Sequence, residues 1–110
     1  MATHHAAPSE VVDLETWAQD LPSEHGKTIV KTPEMELARL VFPAGEEFAD
    51  HQVSGPIVVQ CIKGEIAFSA MGATRTLKPG QLLYLRPGEP HAIRAITDAI
   101  VLLTIVFKVE

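Results

Sequence analysis

From Met35 onward the sequence is a series of short apolar stretches cut at near-regular intervals by turn signals, and this limits the possible fold more than any other feature of the chain. MELARLVF is followed by PAG, PIVVQCI by KG, EIAFSA by MG, ATRTL by KPG, QLLYL by RPGEP and HAIRAI by TD, and AIVLLTIVF closes the series. Stretches of this length, rich in Val, Ile, Leu and Phe and spaced about ten residues apart, predict the strands of a β-sandwich or barrel. The expectation is an all-β chain with at least seven antiparallel strands in its last 80 residues. The KG and MG pairs read as tight hairpin turns, in which glycine supplies the positive φ. Alternation is weak in PIVVQCI and AIVLLTIVF, which predicts cover on both faces, one by the barrel interior and the other by a second sheet or subunit.

With 110 residues, 46% of them hydrophobic, the chain has room for one domain with a single core. Residues 1–28 read as an N-terminal arm, loose over its first ten residues, with a short strand or turn at Val11 to Trp17 and a loop at Leu21 to Lys27. Residues 29–110 read as the barrel. Trp17 is expected to pack against the barrel or a partner subunit. The net charge of −5 and the absence of any basic run argue against nucleic acid as a partner. The longest apolar run, Ala99 to Phe107, falls well short of the roughly 20 residues of a spanning helix, so no membrane is expected. The N-terminus has neither a basic start nor an apolar signal core, which predicts a cytoplasmic protein. Cys61, the one cysteine, sits in an apolar run and reads as a buried thiol.

Two segments carry a more specific pattern. Gly45, five residues, His51, then positions 53 and 57, then six residues to Gly64 form the first, about residues 45–64; Gly80, Gly88 and His91 form the second, about residues 80–95. Together they resemble the two motifs of the cupin superfamily, small RmlC-like barrels in which the first motif reads G-x5-H-x-H-x3-E-x6-G and the second G-x5-P-x-G-x2-H-x3-N. The resemblance spans about residues 35 to 107 and implies an antiparallel double-stranded β-helix, or jelly-roll barrel. The departures lie at ligand positions. Val53 and Ile57 stand where metal-binding cupins carry the second histidine and the glutamate, Arg86 replaces the proline of the second motif and Ala95 its asparagine.

The resemblance therefore carries over only His51 and His91 as candidate metal ligands. If His51, Val53 and Ile57 face inward, period two puts Val59 and Cys61 inside and Gln52 and Gln60 outside. The expected ligand pocket comprises His51, Val53, Ile57, Val59, Tyr84 and His91. Tyr84 and Phe48 line the pocket or fill core. Arg86 is either an anion clamp at the mouth or a solvated loop residue, and Glu89 is a turn residue. His4, His5 and His25 read as surface residues.

Three functions remain open on this reading. The first is a barrel that binds a small organic molecule, with an incomplete metal site and two imidazoles as polar fixtures in an apolar pocket. The second is a metal-dependent enzyme of the dioxygenase or isomerase type, in which another donor joins His51 and His91 around a divalent transition metal (Fe, Mn, Ni or Zn). The third is a non-catalytic dimeric scaffold. A homodimer is expected under all three, because small cupins pair through sheet edges and the apolar outer faces need cover.

Overall fold

The computed structural model describes residues 5–17, 26–51 and 54–107, without the side chains of residues 26, 27 and 49–51. His4, His25, Val53 and most of the loop expected at Leu21 to Lys27 thus lie outside the described residues, as does the side chain of His51. The described residues form nine strands: β1 (Gly26–Lys31), β2 (Met35–Phe42), β3 (Glu47–His51), β4 (Ile57–Lys63), β5 (Ile66–Ala70), β6 (Ala73–Leu77), β7 (Leu82–Leu85), β8 (His91–Ala95) and β9 (Ala99–Val106). No helix among them is long and apolar enough to cross a membrane. Seven strands coincide, within a residue at either end, with the seven apolar stretches. β1 and β3 were not anticipated, because Gly26–Lys31 and Glu47–His51 are not apolar stretches set between turn signals on both sides.

Every pairing is antiparallel. One sheet has the order β1-β2-β9-β4-β7 and the other β3-β8-β5-β6. From β2 onward the chain passes back and forth between them, with β5 and β6 its only consecutive pair in one sheet. This is the double-stranded β-helix, and it corrects one turn. Met71 and Gly72, with φ of 53° and 78°, do close a two-residue hairpin in which Ala70 pairs Ala73. Lys63 and Gly64 do not, since β4 and β5 belong to different sheets and both edges of β4 are taken by β9 and β7. Gly64 is instead a corner. Its φ is +75°, and a Cβ there would run into the Asp98 carbonyl of the neighbouring corner.

The sheets enclose a core in which the residues of β4 alternate as period two requires. Ile57, Val59 and Cys61 are buried and pack with Ala38, Leu40 and Phe42 of β2, Ile66 and Phe68 of β5, and Val101 and Leu103 of β9. A second cluster lies on the outer face of the five-stranded sheet, where Trp17, Ile29 and Leu102 are buried and Ala6, Val12, Leu14 and Leu37 pack around them. Part of the cover predicted for β9, over Leu102, is therefore supplied by the chain's own N-terminal segment. That segment is not loose at Ala6, whose amide donates to the Ile29 carbonyl at 2.7 Å. The arm boundary expected at residue 28 falls inside β1.

Arg39 fixes the arm. It is an outward-facing residue of β2, yet buried, and its guanidinium donates to the carbonyls of Leu14 (2.6 Å), Glu15 (2.7 Å) and Trp17 (2.9 Å). These carbonyls belong to a single helical turn, in which the Trp17 amide donates to the Asp13 carbonyl at 2.9 Å. A five-donor planar group satisfies at once what separate partners would otherwise have to. Desolvation lowers the Arg39 pKa, opposed by the charge of Asp13.

Candidate functional site

At one end of the barrel three corners interlock. The Gly45 amide donates to the Ala95 carbonyl and the Ala95 amide to the Glu46 carbonyl (2.8 and 2.9 Å), while the Ile96 amide donates to the Glu65 carbonyl at 2.9 Å. Asp98 accepts from the Ala44 amide at 2.8 Å, and Thr97 Oγ1 accepts from the Glu65 amide at 3.0 Å. This closed end sets the register of what rises from it. With β3 pinned to β8 at Gly45 and Ala95, the pair runs Glu47 opposite Arg94, Phe48 opposite Ile93 and His51 opposite His91.

Phe48 and His51 are three residues apart, whereas their partners Ile93 and His91 are two apart, so β3 carries one extra residue between them. Such a bulge shifts the phase of the alternation locally and is common beside functional sites. It brings the backbones of the two motif histidines into register at the opposite, open end. Phe48 fills core, packing on Phe42 with ring centroids 6.2 Å apart.

His91 is held by three features. The ring is 5% exposed, lies nearly parallel to Phe68 at 5.6 Å between centroids, and places Nδ1 3.2 Å from the Glu89 carbonyl oxygen. A carbonyl can only accept, so this bond puts the proton of the neutral imidazole on Nδ1 and leaves Nε2 as the lone-pair nitrogen. Glu89 thus does more than form a turn. Its side chain also accepts from Arg86 at 2.8 Å, which makes Arg86 a solvated loop residue engaged locally.

Of the other expected pocket residues, Ile57 and Val59 are buried in the core cluster, which also contains Phe68, the residue stacked on His91. Tyr84 does not fill core: it pairs with Val58 on the outward phase of β7, is 59% exposed, and borders the cleft at the β6–β7 edges. Its neighbours Leu83 and Leu85 have the inward phase. Cys61 is fully buried, with Sγ donating to the Gly64 carbonyl at 3.2 Å, and desolvation pushes its thiol up despite the lowering effect of the Lys63 carbonyl. It is a poor thiolate ligand.

Two charged residues at the open end escaped the sequence reading. Glu36 pairs with Ile105, which in turn pairs with the buried Ile57, so it has the inward phase of β2 at the level of the open end. Its carboxylate accepts from Thr28 Oγ1 at 2.9 Å and lies 3.6 Å from Lys31 Nζ. Arg75 pairs with Phe68 and has the inward phase of β6, two residues from the buried Leu77. Simple alternation counted back from Phe42 and from Leu77 would have found both.

Arg75 borders a cleft of about 260 Å³ between the free edges of β6 and β7, walled by Phe68, Ala70, Leu83 and Leu85. The donor set does not fit the four-ligand metal centre of the motifs. Ile57, in the glutamate position, is an alkyl group buried in the core, and no three His, Cys, Asp or Glu side chains among the described residues are grouped to hold an ion.

Comparison with known proteins bears on this architecture. The chain superimposes on a conserved protein of unknown function from Streptococcus pyogenes with a TM-score of 0.79, at 20% identity over 100% of this chain and 97% of the other. A cupin superfamily protein from Desulfitobacterium hafniense gives 0.78, at 12% identity over 98% and 100%. An RmlC-like cupin family protein with a double-stranded β-helix fold from Methanocaldococcus jannaschii gives 0.71, at 19% identity over 80% and 84%. No curated protein matches the sequence. At these identities the likeness is one of fold. The sequence profile of the Cupin domain family matches residues 38–107, which include both motifs and the strands that carry His51 and His91, and the chain belongs to the cupin family.

Proposed function

We propose that this cupin binds a small, partly apolar organic molecule at the open end of its barrel, with His91 as a polar anchor and without the family's four-ligand metal centre. The observation that carries this reading is the state of His91. A buried imidazole, stacked on Phe68 and bonded through Nδ1 to the Glu89 carbonyl, is already oriented before any ligand arrives. Phe68 itself belongs to the apolar core cluster, and a polar group set against apolar side chains is the composition usual for a small-molecule site. Nε2 can accept a hydrogen bond from a ligand hydroxyl, or, when the ring is protonated, donate to a carboxylate.

A metal-dependent reading draws on the same bond, because an imidazole tied through Nδ1 to a carbonyl is also poised to ligate through Nε2. One experiment separates the two: metal content of tag-free protein by plasma mass spectrometry, beside the His51→Ala/His91→Ala variant. Under the proposal the wild type retains less than about a tenth of an equivalent of Fe, Mn, Ni or Zn after incubation with excess ions and dialysis. Small organic molecules then raise its melting temperature, and not the variant's. Near one equivalent of a single metal, lost in the variant, overturns the proposal and directs attention to oxidative and isomerase chemistry.

A further inference from the structure

We infer that the ligand is an anion with an apolar body, admitted sideways between β6 and β7 and held by its charge on Arg75; this rests on the small-molecule reading above and names the class of molecule. Four observations converge on it. First, β6 and β7 are the free edges of their sheets, so the barrel wall is open along their line. Second, the space there is a cleft of about 260 Å³, with Phe68, Ala70, Leu83 and Leu85 supplying carbon walls. Third, Arg75 is the one cationic residue among the described residues that line the cleft, in a protein whose net charge is −5. Fourth, Arg75 makes no hydrogen bond or ion pair with other described residues, whereas Arg39 and Arg86 are both engaged.

The geometry assigns complementary roles. Phe68 presents one face to the His91 ring and also lines the cleft, so a ligand on the cleft side touches the residue that supports the anchor. Ala70 and Ala73, paired beside His91 in one register row, keep the path from the edge toward His91 free of bulk. A guanidinium at the entrance favours a carboxylate or phosphate through paired N–H donors, and the walls favour a ring or short alkyl body. An inward-phase charge on an edge strand also has a simpler use, that of blocking pairing with another chain. The two uses predict different losses on mutation.

The test takes phenylacetate and its neutral counterpart phenylacetamide as probes and titrates each into the ¹⁵N-labelled full chain, following amide shifts. Phenylacetate is expected to move the amides of residues 68–75 and 83–85, and to bind about tenfold more tightly than the amide at low salt, with the margin shrinking as salt screens it. Arg75→Gln should erase that margin while leaving phenylacetamide binding and the spectrum of the free protein intact, and Arg75→Lys should keep part of it. Equal affinity of the two probes at the cleft, or a margin that survives in Arg75→Gln, overturns the anion inference and leaves the small-molecule reading standing. Shifts confined to other surfaces also overturn the inference. If neither probe moves any amide, the inference and the reading beneath it both fall. Loss of the monodisperse wild-type light-scattering profile in Arg75→Gln, with probe preference unchanged, assigns Arg75 to edge protection and overturns the inference.

Discussion

The two ends of the barrel have the same strands and the same alternation but opposite chemistry. At the closed end Phe42, Cys61, Ile66, Ala95 and Val101 are almost wholly buried, and the three corners that seal them share hydrogen bonds between backbone and short side chains. At the open end the inward phase carries His91, Glu36 and Arg75. The contrast teaches that this barrel segregates its apolar core and its inward-facing polar residues along its axis, which is where the proposed binding would be separated from stability. A core packed to crystal-like density holds no ligand, and a polar mouth contributes little to folding.

Truncation should expose that division most clearly. Phe42→Ala, at the closed end, is expected to cost about 3–5 kcal/mol in urea unfolding, since a fully buried ring leaves a cavity the corners cannot collapse. His91→Ala, at the open end, should cost about 1–2 kcal/mol through loss of the bond to the Glu89 carbonyl and the stacking on Phe68, while abolishing ligand-induced stabilisation. Comparable losses at the two positions would erase the distinction and make the open end part of the core.

The outer cover gives an intermediate effect. Arg39→Leu removes three charge-assisted bonds to the Leu14, Glu15 and Trp17 carbonyls, and should lower stability by about 2–3 kcal/mol. Because Trp17 is the sole tryptophan and is the arm residue buried against the sheet, its fluorescence should shift to the red at denaturant concentrations that leave the barrel folded. A single coincident transition by fluorescence and far-ultraviolet circular dichroism would show that arm and barrel unfold as one unit.

The smallest effect concerns pH at the closed end. Burial raises the Cys61 pKa, so the folded chain holds the proton more tightly than the unfolded chain does. The resulting stability is present below the ordinary thiol pKa and is lost as pH rises through the higher folded value. The melting temperature should therefore decline at alkaline pH more steeply in the wild type than in Cys61→Ala. Ellman's reagent should react with the native thiol far more slowly than with the denatured chain, and rapid native reaction would place Cys61 at an accessible surface instead.

Much of this architecture was legible beforehand. Strands β2 and β4 to β9 follow from short stretches, most of them apolar-rich, set between turn signals, and the burial of Ile57, Val59 and Cys61 follows from period two. β3 was hidden because Glu47 to His51 is mostly polar, its formation driven by the β8 edge rather than by its own propensity. Tyr84, expected to line the pocket or fill core, has the outward phase relative to Leu83 and Leu85 and borders the cleft between β6 and β7. The homodimer was expected partly because β9 is apolar on both faces. The arm covers Leu102 on that face, while Leu82, Tyr84 and Val106 of the same sheet remain exposed.

Residue type and local spacing alone determined the strand series, the alternation within each strand, and the loss of donor atoms at positions 53 and 57, because these depend on neighbours a few residues apart. The tertiary structure decided which strands pair, and through that made Lys63 and Gly64 a corner, brought His51 into register with His91, and set Glu36 and Arg75 around the open end. Pairing is a competition among edges far apart in sequence. A local pattern states which face a side chain takes, and only the winning edge states what that face meets.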